Sequence, residues 1–328
     1  MIFEEQTARK PDRYPWCNDY INALHAGFWK SDEFSFLSDI QDMKVNLSED
    51  ERTTIVRALS AIGQIEVSVK TFWAKLGFNL PHPSIMDLGF VMANTEVIHN
   101  IAYERLLKLL DLEEVFEDNL KLDFMSGRVK YLQKYNERHY KDDKKQYVYA
   151  IILFTLFVEN VSLFSQFLII NYFNKFKNVL KDTRQQTLYT QLEEDLHHLC
   201  GVKIINTIRE EYPELFDEEL KGRILNEAEE AFKAESVIVE WMLEKYESDN
   251  LDKPIIKEFI KDRINTSLEE IGFGKVFDID KELLNKTNWF YEEHYANSHT
   301  DFFNQRPTEY SKNNQSFDKQ LVFRKRDK

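Results

Sequence analysis

The stretch from Tyr147 to Phe176 sets the tightest limit on the fold. Ile151, Ile152, Leu153, Phe154, Leu156, Phe157 and Val158 follow in near succession, and a helix that is apolar all round has to be enclosed by other elements. One acid, Glu159, interrupts it, on the stripe of Ile152, Leu156, Leu163 and Phe167. An ionised carboxylate there is costly unless something positive compensates it. The chain must therefore build a core around this helix and also satisfy a charge inside it.

The rest of the sequence supplies helices to do so. Nine glycines and seven prolines in 328 residues fall well below the usual shares of roughly 7% and 5%. Leu, Glu and Lys are abundant, which favours helix. Residues 1–16 are polar, with two prolines, and should be extended; an amphipathic helix follows, ending near Phe28-Trp29. Ser48, with Glu51 three residues on, marks a helix start. That helix is predicted to run to about Gly77, with a break from Asn79 to Pro83. Further helices are predicted over Ser84–Leu112, 120–140, Tyr147–Phe176, Thr183–Glu211, 215–247 and 252–271. No segment alternates like a strand, and no repeat recurs at a period of 20–50 residues. After about residue 300 the periodicity stops, and RPTEYSKNNQSFDKQLVFRKRDK reads as a flexible tail. The expected organisation is all-α: a helical domain over 1–300 and a flexible C-terminal tail over 301–328.

The net charge is −14, from 43 basic and 57 acidic residues. This argues against binding to nucleic acid or a membrane surface, which calls for a basic face, and suits a cytoplasmic protein. Arg324-Lys325-Arg326 is the one concentrated basic stretch. Cys17 and Cys200 are far apart in the chain and offer neither a disulfide framework nor a thiolate metal site. No run of roughly 18 uncharged apolar residues is found, so no membrane span is expected. The first residues lack the basic-then-apolar order of a signal peptide.

Two of the eight histidines have Glu three residues earlier: Glu96-Val97-Ile98-His99 and Glu194-Asp195-Leu196-His197. Either alone could be a surface pair. In a helix, however, positions i and i+3 share a face. The first motif lies on the stripe of Leu88, Met92, Tyr103, Leu106 and Leu110, the second among Leu188, Gly201 and Ile204. Two further acids sit on apolar stripes. Glu66 lies beside Ile62, Ile65, Val69 and Trp73, and Glu159 lies in the apolar helix. Glu66 precedes Glu96, and Glu159 precedes Glu194, by one helix up, a turn and one helix back. Two such antiparallel pairs would gather Glu66, Glu96, His99, Glu159, Glu194 and His197. Single Glu residues from two helices with Glu-x-x-His from two others make a dinuclear metal site in a four-helix bundle. Four carboxylates offset two divalent cations, and oxygen and imidazole donors without thiolate suit iron or manganese. The fold class expected is a ferritin-like helical bundle with a dinuclear metal site.

Within that class the chain resembles the small (β) subunits of class I ribonucleotide reductases. The resemblance rests on Glu96-x-x-His99-x-x-x-Tyr103, on Phe28-Trp29 ahead of the first ligand helix, and on a tail tyrosine in Arg306-Pro307-Thr308-Glu309-Tyr310-Ser311. It implies a subunit that stores an oxidant and passes it to a large (α) subunit, where ribonucleotides become deoxyribonucleotides. It implies Trp29 as the relay beside the metals, Tyr310 as the relay near the partner, and a homodimer. The family's usual Arg-Asp-Glu reads Leu192-Glu193-Glu194 here. Glu193 thus stands where an Asp links the His ligand to the Trp. Asp195 and His198 form a competing Asp-x-x-His one residue on, but the Leu196-His197 step matches the family and favours Glu194 with His197. Glu66 replaces the Asp of many members, and Lys70 follows one turn later, either as a surface partner of Glu66 or as an ammonium near the metals. The Glu and Lys together resemble the dimanganese, superoxide-activated subclass (Id), in which the oxidised metals, not Tyr103, hold the oxidant. The cofactor so implied is two manganese ions, with two irons or one of each as alternatives. The competing reading is a ferritin-like dimetal oxidase or monooxygenase acting on a small apolar substrate, which needs neither a partner nor Tyr310. An iron-storage bundle would be shorter and would lack relay aromatics.

Overall fold

A computed structural model describes residues 1–63, 66–125 and 143–293, with the side chains of residues 66–68 outside that description. Among the described residues the regular structure is helical, and no β-strand is present. The principal helices are α1 (Cys17–Ala26), α2 (Glu49–Gly63), α3 (Glu66–Ala74), α4 (Pro83–Leu109), α5 (Glu113–Leu120), α6 (Lys144–Leu153), α7 (Phe164–Lys177), α8 (Lys181–Glu211), α9 (Glu218–Met242) and α10 (Lys253–Glu270). The tail over 301–328, with Tyr310, and most of the helix expected over 120–140 lie outside the described residues.

Local chemistry explains the boundaries. Ser48 and Glu51 form a reciprocal capping box at the start of α2: Ser48 N donates to Glu51 Oε2 at 2.9 Å and Glu51 N to Ser48 Oγ at 3.3 Å. Pro83 opens α4, where its missing N–H costs nothing. Asp217 and Asp252 cap α9 and α10. Between α7 and α8 the chain turns through two residues in the left-handed region, Asn178 and Leu180, each at φ 56°. Leu180 N is held there by Asp42 Oδ2 at 2.8 Å.

Two antiparallel pairs make the bundle: α3 packs along α4, and the α6–α7 rod packs along α8. Each pair has a glycine at its closest approach. A side chain at Gly89 would lie 2.7 Å from the Trp73 carbonyl, and one at Gly201 would overlap Thr155. Phe72 of α3 stacks on Phe154 at 3.8 Å and 4°, tying the two pairs together.

The apolar rod differs from expectation. Instead of one uninterrupted α-helix, Phe154–Ser162 winds as a π-helix between α6 and α7. Gly201 lets the α8 backbone come right up to this stretch, and polar side chains from α8 and α10 take carbonyls that the wider turn releases. The same rod, Lys144–Lys177, is long and apolar enough to cross a bilayer by length and composition, but 94% of its most apolar part is buried inside the protein. It is the core helix.

Candidate metal centre

The two pairs bring Glu96 and His99 of α4, Glu159 of the π-helical stretch, and Glu194 and His197 of α8 together. Each of these five side chains is at most 1% exposed. Glu96, Glu159, Glu194 and His197 can each place a ligand atom within 4.8 Å of the others. His99 joins them through Nδ1, which lies 3.2 Å from Glu96 Oε2 and 3.3 Å from Glu194 Oε1. His197 Nδ1 lies 2.8 Å from Glu96 Oε1 and 3.5 Å from both Glu159 Oε2 and Glu194 Oε2. The side chain of Glu66 lies outside the described residues; its backbone opens α3, the helix packed along α4.

Partners outside the cluster orient both imidazoles. Thr95 donates its hydroxyl to Met92 O at 2.7 Å, so its Oγ1 accepts from His197 Nε2 at 2.8 Å. Glu193 Oε2 accepts from His99 Nε2 at 2.7 Å and from Trp29 Nε1 at 2.9 Å. Both rings therefore turn Nδ1 to the cluster, with the tautomer set by the outer bond. Trp29, 2% exposed, lies nearly parallel to His99, at 6.2 Å and 28°. Glu159 is steered in a similar way, by Trp73 Nε1 donating to its Oε1 at 2.5 Å.

Thr95 and Trp73 were not among the residues singled out from sequence. For Trp73 a signal existed, since a buried indole N–H needs an acceptor and Trp73 shares the Glu66 stripe. Thr95 offers none beyond its place beside Glu96.

The remaining candidates sit around this core. Tyr103, buried one turn beyond His99, donates to Thr190 Oγ1 at 3.4 Å. Lys70 on α3 donates to Asn100 Oδ1 at 2.8 Å, beside His99 in the chain. Asp195 and His198 face away from the cluster. Asp195 pairs with Arg263 at 3.6 Å, while His198 meets Thr155 O at 2.9 Å and Glu270 Oε2 at 2.6 Å.

Among the described residues, Glu96 Oε1, Glu159 Oε2, both oxygens of Glu194, and His197 Nδ1 are buried without a hydrogen bond. Orphaned polar atoms cost about 1–3 kcal/mol each, yet here they converge on one volume. Without a cation, protons must carry the compensation. Burial raises the Glu159 carboxyl to about 8, and the neighbouring Glu194 charge pushes the same way. Burial opposes charge on His197, but the carboxylates of Glu159, Glu194 and Glu96 gathered about its Nδ1 raise it well above the usual imidazole value. An oxygen-rich donor set with two imidazoles fits divalent manganese or iron.

The family model for the ribonucleotide reductase small chain matches residues 8–285. The chain belongs to that family. A curated relative, a probable ribonucleoside-diphosphate reductase small subunit (048L) of Invertebrate iridescent virus 3, is 24% identical over 95% of this chain and 86% of its own length. The ribonucleotide reductase R2 subunit of Clostridium botulinum has the same fold: TM-score 0.77 at 18% identity, covering 86% of this chain and 89% of that one. An R2-like ligand-binding oxidase with a Mn/Fe cofactor shares it too, with TM-score 0.68 at 17% identity over 81% and 96%. The ferritin-like bundle is thus common to reductase subunits and oxidases. Membership of the small-chain family makes this chain a subunit of ribonucleoside-diphosphate reductase, with a large subunit as its partner.

Metal uptake should release protons, because Glu159 and His197 must lose theirs to act as ligands. Groups with raised values compete with the metal below those values, so Mn(II) affinity should climb as pH rises towards about 8. Calorimetric titrations in buffers of different ionisation enthalpy count the protons; an affinity flat from pH 6.5 to 8.5 would contradict this site.

Proposed function

We propose that the chain assembles a two-metal oxidant at this centre and passes the oxidising equivalent to the large subunit, which reduces ribonucleotides to deoxyribonucleotides. The observation that carries this reading is the unbroken contact from Trp29 through Glu193 to His99 at the edge of the carboxylate cluster. Glu66, Glu96, His99, Glu159, Glu194 and His197 would hold the ions. When bound, the metal pair supplies a strong one-electron oxidant.

Trp29 is placed to give up an electron. Its ring lies beside the His99 ring, and its N–H rests on a carboxylate. Charge developing on the indole is stabilised by Glu193, and the Nε1 proton has Glu193 Oε2 to move to. Glu193 carries one methylene more than the Asp usual in the family, and at 2.7 and 2.9 Å it spans both partners. An oxidase acting on a bound small molecule has no use for this outward link, so the contact favours the reductase reading.

Manganese, activated by superoxide, is the metal we assign, with two irons or one of each as alternatives. Support comes from Lys70, whose ammonium donates to Asn100 Oδ1 at 2.8 Å, on the helix that carries Glu96 and His99, and would draw an anionic oxidant inward. Tyr103 is then a bystander. Metal-free protein loaded with Mn(II) and given superoxide should become competent for turnover with the large subunit. Competence only with Fe(II) and O₂, with a tyrosyl radical on Tyr103 in electron paramagnetic resonance, would reverse the assignment.

A cytoplasmic homodimer completes the reading. Met86, Phe90, Val97 and Ile101 form one exposed apolar stripe on α4, each 36–53% exposed, and a second copy would cover it. Val97→Glu should shift sedimentation from dimer to monomer; an unchanged dimer would place the interface elsewhere.

In the 301–328 segment, Phe317, Leu321, Val322 and Phe323 would anchor the chain in a groove of the large subunit, where a few apolar side chains carry most of the energy. Tyr310 lies between that anchor and the bundle. Deleting residues 316–328 should abolish large-subunit binding while metal loading persists. Tyr310→Phe should keep binding and the metal oxidant but stop nucleotide reduction, because Phe is far harder to oxidise. Near wild-type turnover by Tyr310→Phe would remove Tyr310 from the path.

A further inference from the structure

A π-helical stretch is an expensive way to carry a buried carboxylate. Such turns hold their hydrogen bonds poorly and persist where neighbours hold them. Around Phe154–Ser162 the outside contacts are specific. Arg263 Nε of α10 donates to Asn160 O at 2.5 Å, and its Nη2 donates to Asn160 Oδ1. Asn160 Nδ2 in turn donates to Ser267 Oγ at 2.5 Å, and Ser267 reaches Leu156 O at 3.5 Å. The Arg263 guanidinium is 3.3 Å from the centre of the Phe164 ring and 3.6 Å from Asp195 Oδ1.

Arg263 therefore grips the residue after Glu159 and the residue after Glu194 at once. It is 7% exposed, and neither of its partners turns into the carboxylate cluster. A buried guanidinium is costly unless its donors are used, and packing alone would be served by an apolar residue. What the arginine adds is a fixed fork that holds two helical segments at one level.

We infer that Arg263 is a positioning residue for Glu159. It keeps the stretch in its π-helical register so that the carboxylate stays aimed at the cluster, and it locks that register to α8 through Asp195. The inference rests on the metal-site reading above. Losing the π register would turn Glu159 by up to about 100°, one residue's worth of helix rotation. Because the rod is apolar on all sides, packing alone would resist that turn weakly.

The test is Mn(II) binding by the full chain, read from the free-ion signal and from the spin-coupled signal of the bound pair in electron paramagnetic resonance. Wild type should take up two ions. Arg263→Gln should keep its helicity by circular dichroism, lose the spin-coupled signal, and bind one of the two ions about 10- to 100-fold more weakly, the usual range for loss of a residue that orients a ligand. Arg57→Ala serves as the stability control. Arg57 bonds to the Trp241 carbonyl and to Glu244, away from the cluster; at a matched loss of stability it should leave both ions and the coupled signal unchanged.

Wild-type affinity in Arg263→Gln, or an equal loss in Arg57→Ala, overturns the inference while leaving the metal site standing. Failure of the wild-type chain to bind a pair of ions overturns the metal reading and this inference with it. Should Arg263→Gln not fold, Arg263→Lys decides the matter. It keeps the charge but replaces the two-pronged grip with a single ammonium, so weakened binding supports the clamp and wild-type binding refutes it.

Discussion

Burying Glu96, Glu159, Glu193 and Glu194 within one bundle is the constraint on which everything else depends. Each buried charge carries a desolvation cost of several kcal/mol unless it is paired, and the bundle offers no arginine or lysine at the cluster among the described residues. Instead two imidazoles stand between the carboxylates, and the orphaned oxygens converge on one volume. The helices around them answer to that volume. Gly89 and Gly201 bring backbones into contact, the π turn carries Glu159, and the indoles of Trp29 and Trp73 each donate a hydrogen bond to a buried carboxylate.

Adjacent positions on α8 divide the work. Side chains at 193 and 194 leave the helix roughly 100° apart, so Glu194 enters the cluster while Glu193 passes behind His99 to Trp29. Asp195, a further step round, leaves the cluster for Arg263. Three consecutive acids thus make three different connections: Glu193 to Trp29 and His99, Glu194 to the carboxylate cluster, and Asp195 to Arg263 of α10. A shift of one residue in α8 would break all three, and would pull Asp195 and His198 out of their contacts with Arg263, Thr155 and Glu270.

Much of this was readable from sequence, because stripes of apolar residues report which face of an amphipathic helix is buried. Glu96, His99, Glu194 and His197 lie on such stripes, and the structure brings them together. The π turn was not readable, for a physical reason. A rod buried on every side has no polar face to mark its phase, so inserting a residue into one turn leaves the apolar pattern from Ile151 to Phe167 looking the same. Arg263 was hidden likewise. Its partner atoms include the Asn160 carbonyl, and backbone acceptors leave no trace in the spacing of side chains. Lys70 shows the opposite limit: its spacing from Glu66 suggested an intrahelical partner, whereas Asn100 on the adjacent helix accepts a hydrogen bond from its ammonium.

The outer bonds to the histidines decide how the site passes between its two chemical states. Without metal, protons on His197 and Glu159 offset the carboxylates; with metal they must leave. Thr95 and Glu193 hold Nε2 of His197 and His99 from outside the cluster, and neither contact depends on whether Nδ1 carries a proton. The His197 ring therefore keeps its aim while its inner proton is exchanged for a cation, and need not rotate in a close-packed interior. The same Glu193 oxygen that holds His99 also holds Trp29, so the bond that aims the imidazole also aims the indole. Coupling the two on one atom keeps Trp29 in register with the His99 ring.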